Sequence, residues 1–166
     1  MSGPRAVPLR IDLPGVGLRP AGDADQPFLR RLYASTREAE LQSAGWNAAQ
    51  QAAFLAMQFD AQQRAYRAYP DAEFLVIERQ GEPAGRLYLQ HGAAALRVID
   101  ISLLSEFRRQ GIGGAVLGAV IALAAHSGRT VNLQVARHNR AQSLYRRLGF
   151  AVAHDDGATL SMVSVP

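Results

Sequence analysis

The apolar positions recur at two spacings, which predict helices in the first half of the chain and strands in its middle. Helical spacing covers residues 26–40 and 47–69, and Pro70 ends the second helix. Short apolar runs then predict strands at 73–79, 84–90 and 96–104, after a shorter extended segment at 16–20. The remaining predicted elements are a helix at 114–126, a strand at 130–135, a helix at 139–148 and a hairpin of strands at 150–153 and 159–165.

This order of elements predicts a single domain of the α+β class built around a mixed sheet. We place the domain at residues 16–166. Residues 1–15 contain three prolines and no continuous apolar segment, so we expect a loosely ordered leader there. Between the first two helices, the polar stretch STREAELQSAGW at 35–46 is predicted to be a loop.

A glycine-rich turn, Arg108-x-x-Gly111-x-Gly113, separates the 96–104 strand from the helix that follows it. It is not a P-loop, which requires a lysine that this chain lacks, and Val116 breaks the dinucleotide pattern Gly-x-Gly-x-x-Gly. Free N–H groups from Arg109 to Gly114 at the start of a helix would favour an anion such as a pyrophosphate. The alternative is a turn that only lets the helix pack close to the sheet.

A second motif, NRAQSLYRRLGF, follows one helix and one strand later, at residues 139–150. Its residues fit the pattern Asn-x-x-Ala-x-x-Leu-Tyr ending in Gly-Phe through Asn139, Leu144, Tyr145, Gly149 and Phe150, with Ala141 displaced by one position. Together with LLSEFRRQGIGGAVL, it resembles the GNAT superfamily of N-acetyltransferases. The resemblance covers residues 16–165. It implies a three-layer α/β/α fold with a mixed, mostly antiparallel sheet of six to seven strands, splayed between the fourth and fifth strands.

The resemblance also implies a reaction: direct transfer of an acetyl group from acetyl-CoA to an amine of a small molecule or a protein. A bulge at Leu103 and Leu104 would splay the sheet, and main-chain groups there would bind the pantetheine arm of the cosubstrate and polarise its thioester. The other residues implied in acetyl-CoA binding are Arg108, Arg109, Gln110, Gly111, Ile112, Gly113, Gly114, Asn139 and Tyr145.

The catalytic residues suggested by the sequence are Tyr145 and Asp100. Tyr145 would protonate the departing CoA thiolate, although a packed aromatic ring is the simpler alternative. Asp100 lies in the middle of an apolar strand, where it would act as general base or would pair with a buried group. Glu38 and Glu40, in the predicted polar loop, would hold a cationic acceptor or form a solvated charge pair.

Composition narrows the classes of function. The 18 basic residues are all arginine and outnumber 14 acidic residues, which fits either nucleic acid or a phosphorylated ligand. Six of these arginines cluster around the two motifs (Arg108, Arg109, Arg137, Arg140, Arg146 and Arg147), so we favour the phosphate site and consider nucleic acid a weaker alternative. With no cysteine, the chain has no thiolate nucleophile or disulfide, and its four histidines show no metal spacing.

Two further expectations concern location and alternatives. No charge-free apolar run reaches the length of about 18 residues that spans a bilayer, so we expect no membrane segment and a cytoplasmic protein. Many members of the superfamily are dimers, which leaves a homodimer open. A non-catalytic acyl-CoA sensor with the same fold is the main alternative to the enzyme.

Overall fold

The computed structural model describes residues 9–166, and these form seven strands and four helices. The strands are β1 (Val16–Pro20), β2 (Ala72–Arg79), β3 (Glu82–His91), β4 (Ala95–Leu103), β5 (Thr130–Ala136), β6 (Ala151–Asp155) and β7 (Thr159–Ser164). The helices are α1 (Gln26–Ser43), α2 (Ala48–Arg67), α3 (Ile112–His126) and α4 (Gln142–Arg147). The predicted class and the predicted order of elements are confirmed.

The strands form one mixed sheet in the order β1-β2-β3-β4-β5-β7-β6. All neighbours are antiparallel except β4 and β5, which pair in parallel. Helices α1 and α2 cover one face through a core that includes Phe28, Leu32 and Phe59, while α3 packs on the other face through Val116 and Val120. The result is the predicted three-layer arrangement.

The sheet is open between β4 and β5. Their pairing extends only from Ala95 opposite Thr130 to Val98 opposite Leu133, after which the two strands separate. In the same place the register between β3 and β4 shifts, because Tyr88 lies opposite Asp100 while Leu89 lies opposite Val98. Ile99 is therefore the extra residue of a β-bulge, and a bulge increases local twist and bends its strand. The bulge predicted at Leu103 and Leu104 is wrong in position, since Leu103 pairs regularly with Gly85.

The loop predicted at 35–46 is largely helical, which corrects the placement of Glu38 and Glu40 on a loop. Helix α1 continues to Ser43, and its last turns are anchored by Leu41, which is buried. The Arg37 guanidinium pairs with the Glu40 carboxylate at 3.1 Å and lies 5.4 Å from the centre of the Tyr33 ring. The helix therefore continues through a largely polar stretch in which Leu41 is the buried apolar residue.

The first fifteen residues fall partly outside the described chain, because residues 1–8 are not described. In the remainder of this segment, Leu9, Ile11 and Leu13 pack against the core beneath the sheet. The loosely ordered leader and the domain limit at residue 16 stay predictions.

Candidate active site

A cleft of about 200 Å³ opens where β4 and β5 separate. One wall is the bulged segment Ile99–Ile101 of β4, and the other is Leu133–Ala136 of β5. Tyr66 of α2 and Tyr145 of α4 also line the cleft, as does Asn139. Beyond Val98, β4 pairs with β3 alone, so its main-chain groups that face β5 have no strand partner. An unpaired strand edge beside a cleft can bind an extended chain of amides.

The glycine turn lies between β4 and α3. Arg109 and Gly111 both have left-handed backbone angles, with φ of 60° and 79°. Within residues 9–166, the main-chain N–H groups from Arg109 to Gly114 donate to no protein oxygen. Alternating left-handed residues with free N–H groups at the start of a 15-residue helix form an anion-binding concavity.

Two side chains of the turn hold it against the preceding segment. The Arg108 Nε donates to the carbonyl oxygen of Leu103 at 2.9 Å, and the Gln110 amide donates to the carbonyl oxygen of Glu106 at 2.8 Å. The turn is thereby fixed to the end of β4. Leu103 packs against the core on the α3 side, whereas Leu104 packs with Phe28 on the α1 side.

Tyr145 is buried in the middle of α4, with 8% of the residue exposed, and its ring packs edge-on against Phe150. Burial raises the pKa of the Tyr145 hydroxyl, and the negative charge of Asp100 raises it further. The hydroxyl makes no hydrogen bond within the described part of the chain. A neutral phenol that lines a cleft and keeps its proton is available as a donor.

Asn139 organises the turn before α4. Its side-chain oxygen accepts a hydrogen bond from the N–H of Ala141 at 2.9 Å, and its carbonyl accepts from the N–H of Gln142. The predicted helix 139–148 is shorter in the structure, since α4 begins only at Gln142. Asn139 nevertheless caps the turn through its side chain and lines the cleft.

Asp100 forms an ion pair with Arg86 of β3, which lies on the same face of the sheet. Oδ2 of Asp100 accepts a hydrogen bond from Nη2 of Arg86 and a second from the Tyr66 hydroxyl at 3.2 Å. Of the two interpretations left open by the sequence, pairing with a buried group is therefore found. Oδ1 has no partner among residues 9–166, and 18% of the Asp100 side chain is exposed.

Sequence reasoning missed Arg86, although it is the most buried charged residue described, with 2% exposed. Its guanidinium lies 4.9 Å from the centre of the Tyr88 ring, and Nη2 also donates to the Gln62 side chain at 2.8 Å. Nε and Nη1 are buried without a partner. The sequence did contain a signal for this ion pair. Arg86 interrupts a largely apolar predicted strand, and the next predicted strand contains an aspartate, Asp100.

The two glutamates suggested for the acceptor are not among the residues that line the cleft. Glu38 and Glu40 are on the last turns of α1, and Glu40 pairs with Arg37. Trp46, just after α1, packs edge-on against Phe54 and is 39% exposed. On α2 and the segment after it, Tyr66 lines the cleft, while the Tyr69 ring lies 5.4 Å from the Arg97 guanidinium.

Two negative findings apply to the described residues. No group of three or more histidine, aspartate or glutamate side chains in residues 9–166 is arranged to bind a metal ion. In the same range, no helix is long and apolar enough to cross a membrane.

Comparison with known proteins identifies relatives of this fold. The family model described as Acetyltransferase (GNAT) domain matches residues 70–152, which are half of the chain. That range includes the cleft walls on β4 and β5 and both motifs.

Among solved structures, the PaiA N-acetyltransferase from Thermoplasma acidophilum, in complex with coenzyme A, has a TM-score of 0.69 at 18% identity, covering 91% of this chain and 99% of that one. An acetyltransferase from Thermus thermophilus has a TM-score of 0.69 at 18% identity, and the match covers 91% of this chain and 97% of that one. An acetyltransferase from Salmonella typhimurium has a TM-score of 0.63 at 22% identity, and the match covers 93% of this chain and 96% of that one. That enzyme modifies the N-terminal serine of a 50S ribosomal subunit protein.

A search of curated proteins found no match. The structural similarities extend over nine-tenths of the chain and support the fold, while the family model supports the family. The open sheet, with its cleft between β4 and β5 and the glycine turn beside it, agrees with both. The protein therefore belongs to the GNAT superfamily of acetyltransferases.

Proposed function

We propose that the protein transfers an acetyl group from acetyl-CoA directly to an amine of a small molecule or a protein. The observation that carries this proposal is the unpaired edge of β4, which faces a cleft lined by the Tyr145 side chain. Acetyltransferase neighbours crystallised with coenzyme A support a CoA-type cosubstrate. The specific acyl group, the acceptor and the residue roles belong to the proposal.

The main chain would bind the cosubstrate at two places. The unpaired groups of Ile99–Leu103 would hydrogen-bond the amides of the pantetheine arm as an added strand does. The free N–H groups from Arg109 to Gly114 would bind the pyrophosphate, with support from the dipole of α3. A main-chain N–H of the bulged segment would polarise the thioester carbonyl.

The chemical step requires one bond to form and one to break. The amine nitrogen attacks the acetyl carbonyl carbon, the carbon–sulfur bond breaks, and the Tyr145 hydroxyl donates its proton to the departing sulfur. The acylated nitrogen loses one proton to water, which leaves a neutral amide, and the Tyr145 oxygen takes up a proton from water in turn. Because the chain contains no cysteine, no acetyl-thioester can form on the protein.

The acceptor must first lose a proton, since an alkylamine with a pKa near 10.4 is charged at neutral pH, and deprotonation costs about 4.6 kcal/mol. Asp100 is suited to receive the acceptor, because Oδ2 is held by Arg86 and Tyr66 while Oδ1 keeps its lone pairs free. We propose that Oδ1 binds the ammonium group and passes its proton to water. Glu38 and Glu40 would attract a cationic acceptor from outside the cleft.

The experiment is a continuous assay of CoA release. The protein is given acetyl-CoA, a thiol-reactive dye and a panel of amines that includes polyamines, amino acids, aminoglycosides, arylamines and peptides. The protein contributes no thiol of its own. Amine-dependent release supports the proposal and identifies the acceptor class.

The non-catalytic acyl-CoA sensor is the competing outcome of the same assay. It is supported if acetyl-CoA binds and raises the unfolding temperature while no amine in the panel releases CoA. A failure of acetyl-CoA to bind at all would overturn both alternatives. The cytoplasmic location and the homodimer stay predictions.

A further inference from the structure

A second cavity, of about 180 Å³, lies between α1, α2 and the sheet. We call it the α1–α2 cavity. Its apolar wall consists of Leu29, Phe74 and Tyr88, and its polar wall includes Asp23, Gln63 and Arg67. None of its lining residues lines the cleft between β4 and β5.

Three polar groups of this cavity have unused bonding capacity. The Gln63 side-chain nitrogen is buried without a hydrogen-bond partner. The Arg67 guanidinium and the Asp23 carboxylate form no ion pair or side-chain hydrogen bond with any residue in the described range 9–166. A buried amide donor without an acceptor costs about 1–3 kcal/mol, which a bound acceptor atom would recover.

The cavity is lined by side chains of both signs of charge, Asp23 and Arg67, which do not pair with each other. Gln63 and Arg67 are four residues apart on α2, so they project from the same face of that helix and form a pair of donors. Asp23 lies in the short turn before α1 and is not within ion-pair distance of Arg67. A ligand that satisfies both side chains carries a negative and a positive group.

The size and the apolar wall define the rest of the ligand. The volume of about 180 Å³ lies below the ~300 Å³ at which ligand pockets usually begin, so it suits only a small molecule, and Leu29, Phe74 and Tyr88 are the apolar residues of its lining. We propose that the α1–α2 cavity binds a free α-amino acid with an apolar side chain. Its carboxylate would lie between Gln63 and Arg67, and its ammonium group would face Asp23.

The cavity adjoins the transfer cleft through two aromatic rings. Tyr88 lines the α1–α2 cavity, Tyr66 lines the cleft, and the two rings pack edge-on at 5.6 Å. Tyr88 also supports the Arg86 guanidinium, which pairs with Asp100. The proposed ligand would therefore bind next to the residues that hold Asp100, without occupying the cleft.

The test is calorimetric titration of the full chain with valine, leucine, isoleucine, methionine and phenylalanine, without and with saturating CoA, which carries no acetyl group to transfer. For leucine, two analogues isolate the charges: isoamylamine lacks the carboxylate and 4-methylpentanoate lacks the ammonium group. We expect saturable binding of at least one amino acid in both conditions. We also expect binding at least about tenfold weaker when either charged group is removed, as for the loss of a charge-assisted hydrogen bond.

Single-residue variants test whether the amino acid binds in the α1–α2 cavity. Arg67→Met and Asp23→Asn change exposed side chains and should each weaken binding by about tenfold, while Arg64→Met, an exposed control on the same helix, should change it less than about twofold. Unfolding curves of the three variants verify that they fold.

Several results would overturn the proposal. These are no binding of any of the five amino acids at about 10 mM, equal binding of an analogue that lacks one charge, or equal loss in the Arg64 control. Displacement of the amino acid by CoA would instead assign it to the transfer cleft, and the inference about this cavity would then be wrong. Because amino acid binding is measured without turnover, a failure of the acetyltransferase proposal is distinguishable from a failure here.

Discussion

Replacing Arg86 with methionine removes the guanidinium that pairs with Asp100 and leaves that carboxylate with a single hydrogen bond from Tyr66. Breaking a buried ion pair by removing one partner costs about 3–5 kcal/mol. The lower end applies, because Asp100 keeps 18% of its side chain exposed and can be hydrated from the cleft.

A second effect opposes the first. Nε and Nη1 of Arg86 are already buried without partners, and methionine removes that penalty of about 1 kcal/mol or more. We therefore expect Arg86→Met to lower the free energy of unfolding by about 2 kcal/mol. The reverse change, Asp100→Leu, should cost more, about 3–5 kcal/mol, because it leaves an arginine side chain of only 3% exposure without its counter-ion.

The assay is urea denaturation of the wild type, both single variants and the double variant. Replacing both partners of a buried pair by apolar side chains is often neutral or stabilising, so the double variant should be more stable than either single variant. The resulting interaction free energy should be at least about 2 kcal/mol. Equal denaturant slopes in all four proteins verify that the same surface is exposed on unfolding.

Simple additivity would refute the reasoning. If the double variant loses as much unfolding free energy as the two single variants together, the attraction between Arg86 and Asp100 does not offset the cost of burying them. If the unfolding free energy of Arg86→Met lies within about 0.5 kcal/mol of the wild-type value, the expected loss of about 2 kcal/mol is wrong.

Three further predictions concern residues around the cleft. Gly85→Ala should destabilise by about 1–3 kcal/mol and weaken acetyl-CoA binding in a titration, because the new Cβ would overlap the carbonyl oxygen of Ser102 and displace the end of β4. Gly111→Ala should destabilise by about 1–2 kcal/mol through its left-handed φ of 79°, whereas Gly113→Ala, in the helix, should stabilise by up to about 1 kcal/mol in the same urea assay. Tyr145→Phe should lower kcat for CoA release about 100-fold or more with little change in KM. Because the pKa of the Tyr145 hydroxyl is raised above its ordinary value of about 10, the wild type should stay protonated there, and its kcat should show no decline from Tyr145 ionisation below about pH 10.

Much of the fold could be predicted because its signals are local. Local features predict the order of helices and strands without knowledge of tertiary contacts. These features are the spacing of apolar residues, Pro70 and the glycine turn, and each acts within a few residues. The splay between the fourth and fifth strands, by contrast, was expected from the family resemblance and not from the spacing, and the parallel pairing of β4 with β5 was not predicted.

The errors arise where distant residues decide the structure. The bulge lies at Ile99, because the register of β3 against β4 decides it, and no residue within β4 reports that register. The partner of Asp100 was missed for the same reason, since Arg86 lies fourteen residues earlier and reaches Asp100 only through strand pairing. The polar stretch after Glu40 is helical because Leu41 is buried against other elements, a contact that a polar sequence pattern does not show.

The central claim is direct acetyl transfer in the cleft between β4 and β5. The most direct measurement follows one reaction with an active amine, counting free CoA by its thiol and acetylated amine by mass spectrometry, with the mass of the intact protein recorded in parallel. The account predicts one acetylated amine for each CoA and an unchanged protein mass. CoA released without acetylated amine, or a protein that gains an acetyl group before the amine does, would contradict it.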